Sequence, residues 1–112
     1  MKHTQLKYDY IKSVDSWDNP IAKNGYYDDC QIAEFTGCWD DDDNYYEILY
    51  YNNQTFCIDS NGNECDVPET DNFQDDANIY LYYDDETDTY YEQNTNGNFW
   101  YQIDKPVLVN PF

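Results

Sequence analysis

Four cysteines, one histidine and 24 acids are the residues with which this chain could do chemistry, and their spacing decides which chemistry is open to it. Cys30, Cys38, Cys57 and Cys65 fall as two pairs with seven residues inside each. Zinc ribbons place about two residues between paired ligands, so that one tight turn presents both sulfurs. This spacing does not. The N-terminal stretch Met1 to Val14 lacks the apolar run of a signal peptide, and no segment could span a membrane, so the expected compartment is the cytoplasm. Thiols stay reduced there, which makes free cysteines the expectation and disulfides the alternative. His3 is the only imidazole and lies near the terminus, which disfavours a Ser-His-Asp or Cys-His engine. Acid pairs abound, but glycosidase-type work needs one carboxyl held in an apolar pocket with a raised pKa, and nothing marks one pair from the rest. The expectation is no enzyme and no cofactor.

Two acidic runs invite a cation. "DDDDN" (Asp40 to Asn44) and "DSNGNE" (Asp59 to Glu64) offer hard oxygen ligands at close spacing. The second resembles the opening of an EF-hand loop, without the glycine at its sixth position or the glutamate at its twelfth, where Thr70 stands. A calcium-dependent binding module is therefore an alternative, and no metal site is assigned.

The charge itself is the strongest signal. The chain carries 24 acids against five lysines and arginines, a net charge of −19. From Asn24 to Asp104 there are 21 acids and no lysine or arginine. Such a block repels nucleic acid and anionic membrane, and attracts a basic partner. Interleaved with the acids are 14 tyrosines, most densely in "YYDDETDTYYE" (Tyr82 to Glu92). The expected contact residues are Asp28, Asp29, Asp40, Asp41, Asp42, Asp43, Asp75, Asp76, Asp84, Asp85, Glu86, Asp88 and Glu92, with Tyr82, Tyr83, Tyr90 and Tyr91 as neighbouring anchors.

These residues need a scaffold. An aromatic content of 20% argues for a folded chain in spite of the acidity. With thin aliphatic supply, burial must lean on Tyr, which can bury its ring while its hydroxyl reaches water. One mainly β domain over residues 1–112 is expected, built of antiparallel β-meanders with at most a short N-terminal helix; Leu6 to Val14 could be strand or helix. Two segments read as copies of a three-stranded unit, 48–67 and 79–103, each with an Asn-Gly hairpin signal, Asn61-Gly62 and Asn96-Gly97. A two-residue turn at Asn61-Gly62 pairs Ile58 with Cys65 and Phe56 with Val67, and an Asn52-Asn53 turn sets Leu49 opposite Phe56. Leu49, Phe56, Ile58, Cys65 and Val67 then form a core face. Tyr46, Ile48, Tyr50, Asp59, Glu64 and Asp66 take the other, an acid-and-tyrosine display, and Cys57 and Cys65 point apart. A further strand is expected at Gln31 to Phe35 after a turn at Asn24-Gly25, a loop or strand edge at Asp40 to Asp43, and an exposed connection at Asp66 to Asn78.

In size, charge and tyrosine use the chain resembles the small acidic inhibitors of phages and mobile elements, such as anti-CRISPR, anti-restriction and uracil-DNA glycosylase inhibitor proteins. No motif is shared, so no functional residues carry over. The resemblance implies a nucleic-acid mimic that blocks the basic groove of a nucleic-acid-binding protein, a nuclease or CRISPR effector, with no direct nucleic-acid or membrane partner. Same-face carboxylates on strands would form its charge lattice. An immunity protein neutralising a basic nuclease toxin is the alternative partner reading.

Overall fold

The computed structural model describes residues 3–14, 28–74, 78–97 and 99–109. The fold is mainly β, as the turn signals imply: the described residues form ten strands, all paired antiparallel, and one 3-10 turn at Asp28–Cys30. The expected turn at Asn24-Gly25 lies outside the described residues. Leu6 to Val14 proves to be strand, divided into β1 (Gln5–Lys7) and β2 (Tyr10–Val14). Among the described residues no helix is long and apolar enough to cross a membrane.

The centre of the fold is β3 (Gln31–Trp39), longer than the Gln31 to Phe35 strand expected. One meander leaves it in each direction. β4 (Tyr45–Tyr51), β5 (Gln54–Ile58) and β6 (Glu64–Cys65) run outward on one side; β7 (Ile79–Asp84), β8 (Thr89–Asn94) and β9 (Phe99–Ile103) run outward on the other, with β2 closing that edge. The two segments read as copies are thus two arms of one eight-stranded sheet, ordered β2-β9-β8-β7-β3-β4-β5-β6.

The Asn52-Asn53 turn forms as expected, with φ of 52° and 64° at its two residues, and sets Leu49 opposite Phe56. The Asn61-Gly62 register is corrected. The Asp59 N–H donates to the Asn63 carbonyl and the Gly62 N–H to the Asp59 carbonyl, and only Gly62 takes a positive φ, 81°. This is a three-residue loop, a type I turn followed by a left-handed glycine, not the two-residue type I′ turn. The pairing therefore slips by one: Cys57 faces Cys65 and Ile58 faces Glu64. A one-residue slip moves a side chain to the other face. Cys65 leaves the Leu49 face and joins Cys57.

Both faces bury apolar surface, which corrects the acid-and-tyrosine display. On one, Leu6, Ala33, Leu49, Leu81 and Ile103 form a core with Phe35, Phe56, Tyr90 and Tyr101 packed around it. On the other lie two clusters, Tyr82 with Trp100, and Cys38, Ile48 and Cys57 with Tyr46 and Tyr50 half-buried beside them. Leu6 reaches the first core because of a bend. β1 pairs β10 (Val107–Val109) and β2 pairs β9, so the two terminal segments form one antiparallel ribbon that turns at Tyr8–Asp9 and Asp104. The Asp9 N–H donates to the Asp104 carboxyl at 2.8 Å, and the Asp104 N–H to the Asp9 carbonyl at 3.0 Å. At the ribbon's far end the Thr4 hydroxyl meets Glu64 of β6 at 3.4 Å.

The described part of the connection, residues 66–74 and 78, is exposed over Asp66, Val67, Glu69 and Asp71 to Phe73, yet it is tied to β3. Phe73 bridges Cys38, the Gln74 and Asn78 N–H groups donate to the carbonyls of Gly37 and Phe35, and the Trp39 N–H donates to the Asn72 carbonyl. The segment thus pairs the length of β3 that β7 leaves open, consistent with the rule that buried backbone groups find partners.

Candidate functional site

The four tyrosines of "YYDDETDTYYE" separate by strand alternation. β7 and β8 pair Tyr82 with Tyr91 and Tyr83 with Tyr90, so the pairs lie on opposite faces. Tyr82 is buried, its ring 5.6 Å from that of Trp100 and its hydroxyl donating to Gln93 at 3.1 Å, while Tyr91 packs half-buried beside it. Tyr82 is a core residue and departs from the expected contact role. Tyr83 and Tyr90 meet across the strands as a tilted pair, ring centroids 4.6 Å apart and planes at 33°, and stay half-buried. They line two depressions, one of 620 Å³ shared with Glu34, Tyr51, Asn52 and Asn53, the other of 400 Å³ shared with Asp88, Gln102 and Lys105.

The acids sort by position in each loop. Asp40, Asp59 and Asp84 open their hairpin loops, and each accepts the N–H two residues on, from Asp42, Asn61 and Glu86. Asn94 does the same for Asn96. These are Asx turns, in which a short polar side chain closes its own loop. Asp40 is the most engaged: it also accepts from the Asn44 N–H and side-chain amide and from the Tyr46 hydroxyl. The Asn44 bonds, first by the side chain and then by the backbone, hold its carboxyl below the usual carboxylate range. The first acids of both runs proposed for calcium thus serve their own loops. With Asp40→Ala, the Asp42 and Asn44 amides should exchange with solvent several-fold faster while the strands keep their protection; unchanged exchange at both would show that the carboxyl does not hold the loop.

Glu92, expected at the contact surface, is instead 1% exposed in the middle of the sheet. Its Oε2 accepts the hydroxyls of Tyr8 at 2.6 Å and Tyr10 at 2.8 Å. Asp84, at 9% exposure, is also turned inward. Both are corrected from contact residues to structural ones: β8 alternation puts Glu92 on the face that the terminal ribbon covers, and loop closure claims Asp84. Asp75 and Asp76 lie outside the described residues, as does the side chain of Asp28.

Of the acids expected to make contact, those that stay exposed divide between two ends of the sheet, while Asp9, Glu47, Glu64, Asp66, Glu69, Asp71 and Asp104 are exposed elsewhere. Asp41, Asp42 and Asp43 follow β3; Asp29 precedes it, so they are separated by its nine residues, about 30 Å. Beside Asp29 lies the exposed loop Asp85, Glu86, Thr87 and Asp88, brought there by the pairing of Gln31 with Tyr82. The electrostatics register this gathering: burial raises the Cys30 thiol, and the charges of Asp84, Asp85 and Asp29 raise it further. Asp88, with a φ of 52°, accepts the Tyr83 hydroxyl at 2.9 Å, and that hydrogen bond is the first cause of a raised Tyr83 phenol. The candidate site is therefore Asp29, Asp85, Glu86 and Asp88 around the Tyr83–Tyr90 pair. The strands themselves carry Glu34, Glu47, Glu64, Asp84 and Glu92, two of them buried, so the lattice of same-face carboxylates expected on the sheet gives way to acids on loops.

Sequence reasoning missed the Tyr8–Tyr10–Glu92 cluster, whose glutamate lies more than 80 residues from both tyrosines, and the capping acids. The capping acids had a signal: an Asp at the head of a short polar run between strands is an Asx-turn former. No protein-family model matches the chain, and no curated protein or solved structure matches it.

Proposed function

We propose that the chain is a nucleic-acid-mimic inhibitor that blocks the basic groove of a DNA- or RNA-binding protein, such as a phage-defence nuclease, using the sheet end that bears Asp29, Asp85, Glu86 and Asp88. The observation that carries this reading is the placement of those exposed acids around a tilted, half-buried tyrosine pair, in a stretch of chain without lysine or arginine from Asn24 to Asp104. A groove built for duplex DNA meets one negative charge per about 1.7 Å of axis and holds Lys and Arg poised for it. Loop carboxylates answer those cations, and the exposed parts of the Tyr83–Tyr90 pair supply aromatic surface for Arg and for residues that otherwise hold bases. Charge of one sign sets the rate of encounter; the aromatic pair holds the complex.

The test is capture from a lysate on the immobilised chain, with duplex DNA as competitor. Nucleic-acid-binding proteins should dominate and DNA should displace them. Replacing Asp85, Glu86 and Asp88 with Asn, Gln and Asn should slow association with the captured protein about tenfold at low salt and flatten its salt dependence. The same change at Asp41, Asp42 and Asp43 should leave it nearly unchanged. If the second set alone slows association, the surface lies at the other end of β3; recovery of only neutral or acidic proteins defeats mimicry. Capture of one basic nuclease that DNA cannot displace would favour an immunity protein instead.

A further inference from the structure

We propose that Cys57 and Cys65 form a dithiol oxidation site that a small-molecule disulfide, of the glutathione class, converts to a cross-strand bond. The two residues are direct partners on β5 and β6, and their sulfurs lie 3.6 Å apart. The Asp59–Asn63 bond that closes the loop fixes the alternation of the ladder, making 57 and 65 a hydrogen-bonded pair with Cα atoms about 5.5 Å apart. That separation is the one disulfides favour.

The other thiols do not compete. Cys38 belongs to the same buried cluster but sits on β3, two strands from Cys57, which puts the backbones about 10 Å apart, beyond bridging reach. Cys30 lies in the Tyr82–Trp100 cluster.

Exposure sets the order of events. Cys57 is 2% exposed, whereas Cys65 is partly open to solvent, so the oxidant meets Cys65 first. The Cys65 thiol loses its proton and its sulfur attacks the small disulfide RSSR. One RS⁻ leaves, taking up a proton as RSH, and Cys65 carries the mixed disulfide. Cys57 then loses its proton and attacks the Cys65 sulfur, expelling the second RS⁻, which also leaves as RSH. Two protein thiols are oxidised to one disulfide, and one RSSR is reduced to two RSH. Burial first, and then the neighbouring Cys65 sulfur, hold the Cys57 thiol above its ordinary value, consistent with its acting second. The bond would tie β6, a two-residue edge strand, to β5 across a loop of seven residues.

The full chain, equilibrated in mixtures of reduced and oxidised glutathione, is quenched, and its remaining thiols are counted and mapped by mass spectrometry. Two of the four thiols should disappear together, the chain losing the mass of two hydrogens, with one cross-linked peptide pair joining Cys57 to Cys65. Cys30→Ser should behave as the native chain; Cys57→Ser should instead accumulate a glutathione adduct at Cys65. The native map decides the matter whether or not the variants fold. A lasting glutathione adduct on Cys65 of the native chain, a link through Cys30 or Cys38, or four intact thiols in excess oxidised glutathione would overturn the proposal.

Discussion

Glu92→Ala destabilises the sheet by about 3 kcal/mol, lowering the thermal midpoint by about 10 °C or more. Three effects combine. The truncation leaves a cavity at a site only 1% exposed, between the rows of Leu81 and Tyr101. The hydroxyls of Tyr8 and Tyr10 lose their common acceptor, and half-buried Tyr8 has poorer access to replacement water than Tyr10, whose ring is 60% exposed. Against these stands the cost of holding a carboxylate away from water, which the native chain bears and alanine does not. Glu92→Gln keeps the shape and one acceptor oxygen, so its loss should be the smaller. Tyr8→Phe and Tyr10→Phe should each cost about 1 kcal/mol alone and nearly nothing in the Ala background, because the group they bond to is gone. Urea unfolding of the set measures all of this; an Ala variant as stable as the native chain would mean that the terminal ribbon is not anchored through Glu92.

The second large effect is alkaline unfolding between about pH 10 and 12. Tyr10 rises from the usual 10 to about 12, through burial first and then its hydrogen bond to Glu92; Tyr8 rises further for the same causes. Burial also raises Tyr45, Tyr50 and Tyr91, while hydrogen bonds to Asp40 and Asp88 raise Tyr46 and Tyr83. A phenol whose folded pKa exceeds its unfolded one contributes stability in full below the unfolded value, near pH 10. Above it the unfolded chain holds fewer protons than the folded, so stability falls as pH rises, until the folded phenols also ionise. A fully shielded phenol steepens the fall by up to about 1.4 kcal/mol per pH unit, and an exposed ring such as Tyr10 by less. Each tyrosinate also adds to a net charge of −19. Tyrosinate absorbance should therefore appear abruptly, together with loss of circular dichroism. A gradual titration centred near pH 10 with the β signal intact would contradict the shielding of these phenols.

How far the sequence carried this picture depends on the reach of each interaction. Local turn chemistry was legible: the Asn52-Asn53 turn and the Leu49–Phe56 pairing stand as read, and a hairpin joins β8 to β9 where Asn96-Gly97 signalled one. Asn61-Gly62 misled by one residue because an Asn-Gly pair suits both a type I′ turn and a type I turn closed by a left-handed glycine. That single residue separates cysteines pointing apart from cysteines in contact. The two meanders were visible as segments, but their common partner was not, since β3 pairs β7 across more than 40 residues. The site was partly legible. Asp85, Glu86, Asp88, Tyr83 and Tyr90 come together near Asp29, while Glu92, Tyr82 and Asp84 turn inward for reasons that reside in distant strands or in loop closure.

The open ends of the sheet bear on how such a chain stays dispersed. Among the described residues, the eight strands do not close into a barrel and leave two rails on which another molecule could template a fibril. One rail, β6, is two residues long, and the other, β2, is broken by a register shift between Tyr10 and Lys12. Neither offers the long flat edge that cross-β growth requires.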